Sequence, residues 1–255
     1  MTLTVEPLPN PASPLCQWDP RWKLAAFLLA ALAVALLQTV VAALLALVGA
    51  VALAILARLP RRWFLARLGS LALALLVFVC LLPFWARAEG PGWDLGPLHV
   101  SLAGLRGALL LCLKALALVS LMLVLLGTAP LADTLKAAYA LHLPGLLVQM
   151  ALLTYRYVFV LAAELARLRV ALRVRGYRNR ASRHSYRTVG HVAGTLLVRG
   201  SERAEQVGQA MRCRGFDGRF RTLTTFRTTR ADVGSFALVL LGAAGLLVWD
   251  WIQRS

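Results

Sequence analysis

Along this chain the apolar residues come in long runs and the charged residues in clusters between them. Leu24 to Ala57 is 34 residues without a charge. A single helix of that length would reach about 51 Å at 1.5 Å per residue, against a bilayer core of about 30 Å. The polar pair Gln38-Thr39 is where such a run breaks, so the pattern predicts two short spans, roughly 24–39 and 41–57, closed as a tight hairpin. Arg58, Arg61, Arg62 and Arg67 follow, and a third span is expected over about 68–86. The next loop carries Glu89 and Asp94 with several Gly and Pro and one base, Arg87, before a fourth span over about 104–126. Gly127-Thr128-Ala129-Pro130 ends that span, and Pro130 to His142 reads as a short amphipathic helix.

The run 146–163 has the hydropathy of a further span but is expected not to cross. Arg156 sits in its middle, within Thr154-Tyr155-Arg156-Tyr157, and a charge at mid-bilayer costs roughly 3 kcal/mol even on the lenient insertion scale. A crossing would also export the basic block that follows, against the positive-inside bias. The run is expected to lie along the inner interface or under the bundle and continue through Glu164, Arg167 and Arg169. After a basic loop at 178–187, Thr188 to Met211 forms a second long helix with Val189, Val192, Leu196, Leu197 and Val207 on one face. A last span, about 233–249, ends at Trp249 and Trp251.

Composition sharpens the class. With 60% hydrophobic residues in 255, in runs dense in Leu and Ala and without the alternation of a barrel, the chain is expected to be an all-α integral membrane protein. It should have about five transmembrane helices plus cytoplasmic amphipathic helices. The expected organisation is an irregular Pro-rich tail over 1–17, four spans within 18–126, a cytoplasmic or interfacial region over 127–230, and a C-terminal span over 231–255. The first apolar run starts too late, and lacks the small-residue site, for a cleavable signal peptide. Asp19 is the expected N-cap of the first helix and Pro20 its first residue, with Trp18 and Trp22 at the membrane interface. Net charge is +17, and residues 156–230 hold 17 of the 28 basic and 4 of the 11 acidic residues, a net +13. In a membrane protein such a block marks the cytoplasmic side and attraction to anionic headgroups rather than nucleic acid. The N-terminus, with Arg21 and Lys23, is placed there too, which leaves the C-terminus outside.

One stretch is written twice. Ala171-Leu172-Arg173-Val174-Arg175-Gly176-Tyr177 returns as Ala210-Met211-Arg212-Cys213-Arg214-Gly215-Phe216. Each copy closes a helical run with a glycine, the usual left-handed stop, and carries arginines that suit the negative end of the helix dipole. Capping accounts for the Gly and one Arg, but not for seven positions repeated in order. The duplicate reads as two equivalent docking tips. Other chemistry is sparse. The three lysines, Lys23, Lys114 and Lys136, follow no P-loop pattern. His99, His142, His184 and His191 lie in different segments, and Cys16, Cys80, Cys112 and Cys213 form no CxxC or Cys/His spacing. No catalytic group, metal site or cofactor is expected. Lys114, inside a span, is open to three readings: a pathway residue, a snorkelling side chain, or one paired within the bundle.

With these features the sequence resembles the T component of energy-coupling factor (ECF) transporters, and within that family the CbiQ type of cobalt importers. The resemblance rests on Asp19-Pro20-Arg21, Gly127-Thr128-Ala129-Pro130, Thr154-Tyr155-Arg156-Tyr157 and the two repeats. Family members carry short Ala-Arg-Gly or Ala-Arg-Ser signatures at the ends of two coupling helices. The matching residues are Val174-Arg175-Gly176 and Cys213-Arg214-Gly215, with Val174 and Cys213 in place of the alanine. The continuation Arg214-Gly215-Phe216-Asp217-Gly218-Arg219 is closer to the cobalt branch than the vitamin branch. The resemblance implies a non-enzymatic scaffold in a bacterial or archaeal plasma membrane. Its partners would be two ABC ATPase subunits and a separate substrate-binding membrane S component, CbiM-like if the cargo is cobalt. Arg173, Arg175, Arg212 and Arg214 would carry the coupling. The alternatives are a T subunit for nickel or a vitamin, and a self-sufficient permease or channel with a basic cytoplasmic domain.

Overall fold

The structure is a computed structural model, and it describes residues 15, 18–85, 92–95, 98–178, 180–216 and 228–253. The Pro-rich tail apart from Leu15, and the connector over 217–227, lie outside the described residues. Eight helices form: α1 (Pro20–Leu36), α2 (Val40–Leu56), α3 (Arg61–Trp85), α4 (Leu102–Thr128), α5 (Leu131–Ala140), α6 (Gly145–Val174), α7 (Arg183–Cys213) and α8 (Arg230–Ile252). Between α3 and α4 stands an antiparallel hairpin, β1 (Gly92–Leu95) and β2 (Leu98–Ser101), with Asp94 opposite His99. The sequence reading expects only an irregular loop there. Four-residue strands carry too little alternation to register as a pattern. The chain divides into two compact units, Met1–Ala137 with Thr225–Ser255, and Ala138–Thr224.

The first unit is organised as a membrane protein is, with small residues inside and large ones outside. On α2, Ala42, Ala46, Ala50 and Ala54 recur every fourth position and are all buried. On α1, Leu28, Leu32 and Leu36 share one face and are exposed, Leu32 at 59%. Lipid tails solvate leucine as well as a protein core does, so what brings spanning helices together is close approach over small side chains. The described residues thus form an all-helical membrane protein apart from the one hairpin. Three helices are long and apolar enough to cross a bilayer, over Arg106–Thr128, Gly145–Val174 and Arg230–Ile252, and Val40–Leu56 is a shorter apolar helix. By length and composition alone α6 is therefore among the segments able to span.

Helix α8 runs parallel to α1 and holds the first hairpin at both ends. At one end Trp18 Nε1 donates to the Asp232 carbonyl at 3.2 Å, and the Asp19 N–H to Asp232 Oδ1 at 3.2 Å. Asp232 and Thr229 also complete a capping box on α8. At the other end Asp250 Oδ1 accepts from the backbone N–H groups of Gln38 (3.1 Å) and Thr39 (2.8 Å) and from Thr39 Oγ1 (2.6 Å). The break between α1 and α2 thus falls at the polar pair, and a carboxylate from the last helix satisfies its open donors. Asp19 caps α1 by accepting from the Arg21 N–H, with Pro20 at the first position, as the sequence leads one to expect. Trp18 is buried against the start of α8, and Trp22 meets Phe236 edge-on at 5.1 Å.

Candidate functional site

The two copies of the repeat form the same local structure. Helix α6 ends at Val174 with Arg175 as its C-cap, and α7 ends at Cys213 with Arg214 as its C-cap. Gly176 and Gly215 follow with φ of +79° and +75°. In the first tip the Gly176 N–H donates to the Arg173 carbonyl at 3.0 Å and the Tyr177 N–H to the Leu172 carbonyl at 3.0 Å. In the second the Gly215 N–H donates to Arg212 at 3.0 Å and the Phe216 N–H to Met211 at 3.1 Å. This double closure is the Schellman motif, which needs a left-handed residue and so favours glycine.

The motif aims its arginines into open space. Arg173, Arg175, Arg212 and Arg214 are exposed, and none of the four guanidinium groups has an ion-pair or hydrogen-bond partner among the described residues. Val174 is 83% exposed and Cys213 is exposed, so no described residue dictates the size of either side chain. The aromatic after each glycine is half-buried and anchors the turn. Free guanidinium forks on a fixed backbone suit carboxylate or carbonyl acceptors.

The second unit sets the spacing of the tips. Helices α6 and α7 run antiparallel, joined near their middles by an ion pair between Arg199 and Glu164. A slot of about 420 Å³ beside the first tip is lined by Leu172 and Arg173 of α6, Tyr177 after it, and Thr188 and Val189 of α7. Near the far end Leu153, Tyr157 and Leu161 face Ala204, Val207 and Met211 across a second cavity. The tips therefore sit at opposite ends of α7, whose 31 residues extend about 46 Å. No single small ligand can meet both.

Ser185 is a supporting residue that the sequence reading passes over. The expected loop at 178–187 is shorter than read, because Ser182 caps α7 by accepting from the Ser185 N–H at 3.2 Å and the helix starts at Arg183. Ser185 is buried, its Oγ accepts from the Arg180 N–H at 3.3 Å, and its carbonyl accepts from the Tyr177 hydroxyl at 3.5 Å. The first tip is braced through these contacts. The signal was an ordinary serine N-cap in a basic stretch. Asp217, Gly218 and Arg219, which extend the second motif, lie outside the described residues.

The two lysines nearest the bundle are both engaged. Lys114 Nζ donates to the Ala35 carbonyl at 2.9 Å, so of its three readings the structure shows pairing within the bundle. Lys23, which with Arg21 marks the cytoplasmic end in the sequence, is buried with Nζ 3.4 Å from the Thr128 carbonyl. That carbonyl belongs to the Gly127-Thr128-Ala129-Pro130 turn, where a Cβ on Gly127 would meet the end of the Leu59 side chain at 2.5 Å, so that side chain would have to shift. Among the described residues no three of His, Cys, Asp and Glu come together as a metal site. His184 and His191 are exposed on α7, Cys213 is exposed and Cys112 is half-buried.

Comparison with known proteins gives matches over most of the chain. The family model described as CbiQ, cobalt transport protein, matches residues 11–225. The chain is 34% identical over 161 residues to the cobalt transport protein CbiQ of Rhodobacter capsulatus, covering 61% of this chain and 65% of that protein. It is 32% identical over 158 residues to an uncharacterized protein of Methanocaldococcus jannaschii, covering 62% and 57%. It is 29% identical over 232 residues to the nickel permease LarQ of Lactiplantibacillus plantarum, covering 88% and 76%. The chain thus spans less than two thirds of the first two relatives' lengths.

Proposed function

The chain belongs to the CbiQ cobalt transport protein family, and on that premise we propose that it is the T subunit of an ECF-type importer. In this reading it is a non-enzymatic membrane component that couples two partner ATPases to a separate substrate-binding subunit. The observation that carries the reading is the pair of matched tips. Two Schellman ends of the same form present Arg173 and Arg175, and Arg212 and Arg214, with no acceptor among the described residues. Their separation of about 46 Å calls for two receptors, as a pair of ATPase subunits supplies. Each arginine fork would meet a carboxylate or carbonyl in a groove of one ATPase. Closure of the ATPase pair on ATP would then pull on both ends of one rigid helix hairpin.

The topology that goes with this reading keeps α6 and α7 on the cytoplasmic side with the N-terminus, and takes α1, α2, α3, α4 and α8 as the five spans. The exposed Arg156 on α6 and the +13 block over 156–230 that begins with it favour that arrangement, because crossing would export the charge. Cargo capture is assigned to a CbiM-like S component. Cobalt is the first candidate from the family description. Nickel is the second, because the relative covering 88% of this chain is a nickel permease. Co-expression with the neighbouring transporter genes and purification through a tag on this chain should bring two ATPase copies and one further membrane subunit. A chain that purifies alone yet transports metal in vesicles would replace this reading with that of a self-sufficient permease.

A further inference from the structure

Where α2 ends, the chain takes a left-handed turn without a glycine, as it also does at His142 after α5. At the ends of α6 and α7 the left-handed position is filled by glycine. At the end of α2 it is filled by Arg58, with φ of +49°, one residue past the Ala57 C-cap. Glycine is the residue that adopts this conformation without a Cβ penalty. An arginine held there points to a use for its side chain.

The surroundings say what that use is. Arg58 stands at a cavity of about 480 Å³ between the last turns of α2 and the first turns of α3. The other walls are apolar, with Val51, Ala54 and Ile55 from α2 and Phe64 and Leu65 from α3. Ile55 is 68% and Leu65 62% exposed, so the cavity opens sideways, toward the medium around the bundle. No carboxylate lines it, and the Arg58 guanidinium has no ion-pair or hydrogen-bond partner among the described residues. One turn on, Arg67 lies over the Trp63 ring at 4.5 Å and Arg62 is exposed. Tryptophan and arginine together mark the headgroup level of a bilayer. The cavity is therefore an apolar slot that begins at that level and carries one unpaired cation there.

We infer that this cavity binds an anionic phospholipid, with Arg58 on the headgroup phosphate and one acyl chain along Val51, Ile55, Phe64 and Leu65. Basic pockets between helices at the membrane surface recognise anionic headgroups in this way. A soluble anion would not need the apolar walls, and a neutral lipid would leave Arg58 unused. The inference stands apart from ATPase docking, since none of its residues lies in the tips.

The test uses the purified, delipidated full chain and native mass spectrometry with dioleoylphosphatidylglycerol or dioleoylphosphatidylcholine. The expected result is one phosphatidylglycerol retained in preference to phosphatidylcholine. Arg58→Gly should weaken that adduct about five- to tenfold and leave the choline lipid unchanged. Because glycine suits the backbone there, the same variant should unfold at or above the wild-type temperature, which separates lost binding from lost folding. Arg58→Lys should keep most of the binding. Equal retention of the two lipids by the wild type, undiminished phosphatidylglycerol on Arg58→Gly, or full displacement of the lipid by inorganic phosphate would each overturn the assignment.

Discussion

Asp250 offers a sharp test of how the membrane unit is held together. Its carboxylate is buried to 3% exposure and satisfies the Gln38 and Thr39 N–H groups and the Thr39 hydroxyl, all at the break between α1 and α2. Asp250→Ala leaves those donors without their acceptor. A buried donor left unpaired costs about 1–3 kcal/mol, but Gln38 is exposed and Thr39 half-buried, so water recovers part of the loss. About 3 kcal/mol in total is a fair expectation. At roughly 2–4 °C per kcal/mol for a chain of this size, the unfolding midpoint in detergent should fall about 6–12 °C. Asp250→Asn keeps an oxygen for the shortest contacts and should lose about a third as much. Thr39→Val removes only the hydroxyl bond. In a double-mutant cycle with Asp250→Ala it should show coupling of about 0.5–3 kcal/mol. An Asp250→Ala midpoint within about 1 °C of wild type, or strict additivity with Thr39→Val, would show that α8 does not clamp the hairpin.

Further expectations follow from the tips and the topology. Gly176→Ala and Gly215→Ala should each cost about 1–2 kcal/mol of local stability. A Cβ meets nothing within 4 Å at either site, so the effect is purely of the backbone, and ATPase co-purification should fall for both. In a chain lacking its own cysteines, Arg180→Cys and Thr222→Cys should be shielded from an impermeant thiol reagent in intact cells, while Gly92→Cys is labelled. External labelling at 180 would make α6 a spanning helix. Isothermal titration of the isolated chain with cobalt or nickel should give no saturable site tighter than about 10 μM. A one-to-one site in that range would move cargo capture into this subunit.

What the sequence discloses depends on how local the cause is. The α1–α2 break is readable because two polar residues interrupt a run of 34 without charge. The Schellman tips are readable because a glycine after a helical pattern has one main use. The contacts that fix these features are not local. Asp250 and Thr39 are 211 residues apart in sequence, and Asp19 and Asp232 213. An aspartate near the end of an apolar run looks like any interfacial charge until its partner is known. The same holds for Lys23, whose burial depends on the Thr128 carbonyl. The early start of α7 turned on one serine cap, and the β1–β2 hairpin on strands too short to show a period.

The central claim is that the two arginine tips dock two ATPases. The direct measurement is co-purification and transport for the paired charge reversal Arg175→Glu and Arg214→Glu, with each single variant alongside. Both side chains are exposed and have no partner among the described residues, so the variants should fold and reach the membrane as the wild type does. Each single reversal should weaken ATPase recovery, and the double variant should abolish recovery and metal uptake together. A double variant that still carries both ATPases and transports at the wild-type rate would contradict the docking role of the tips.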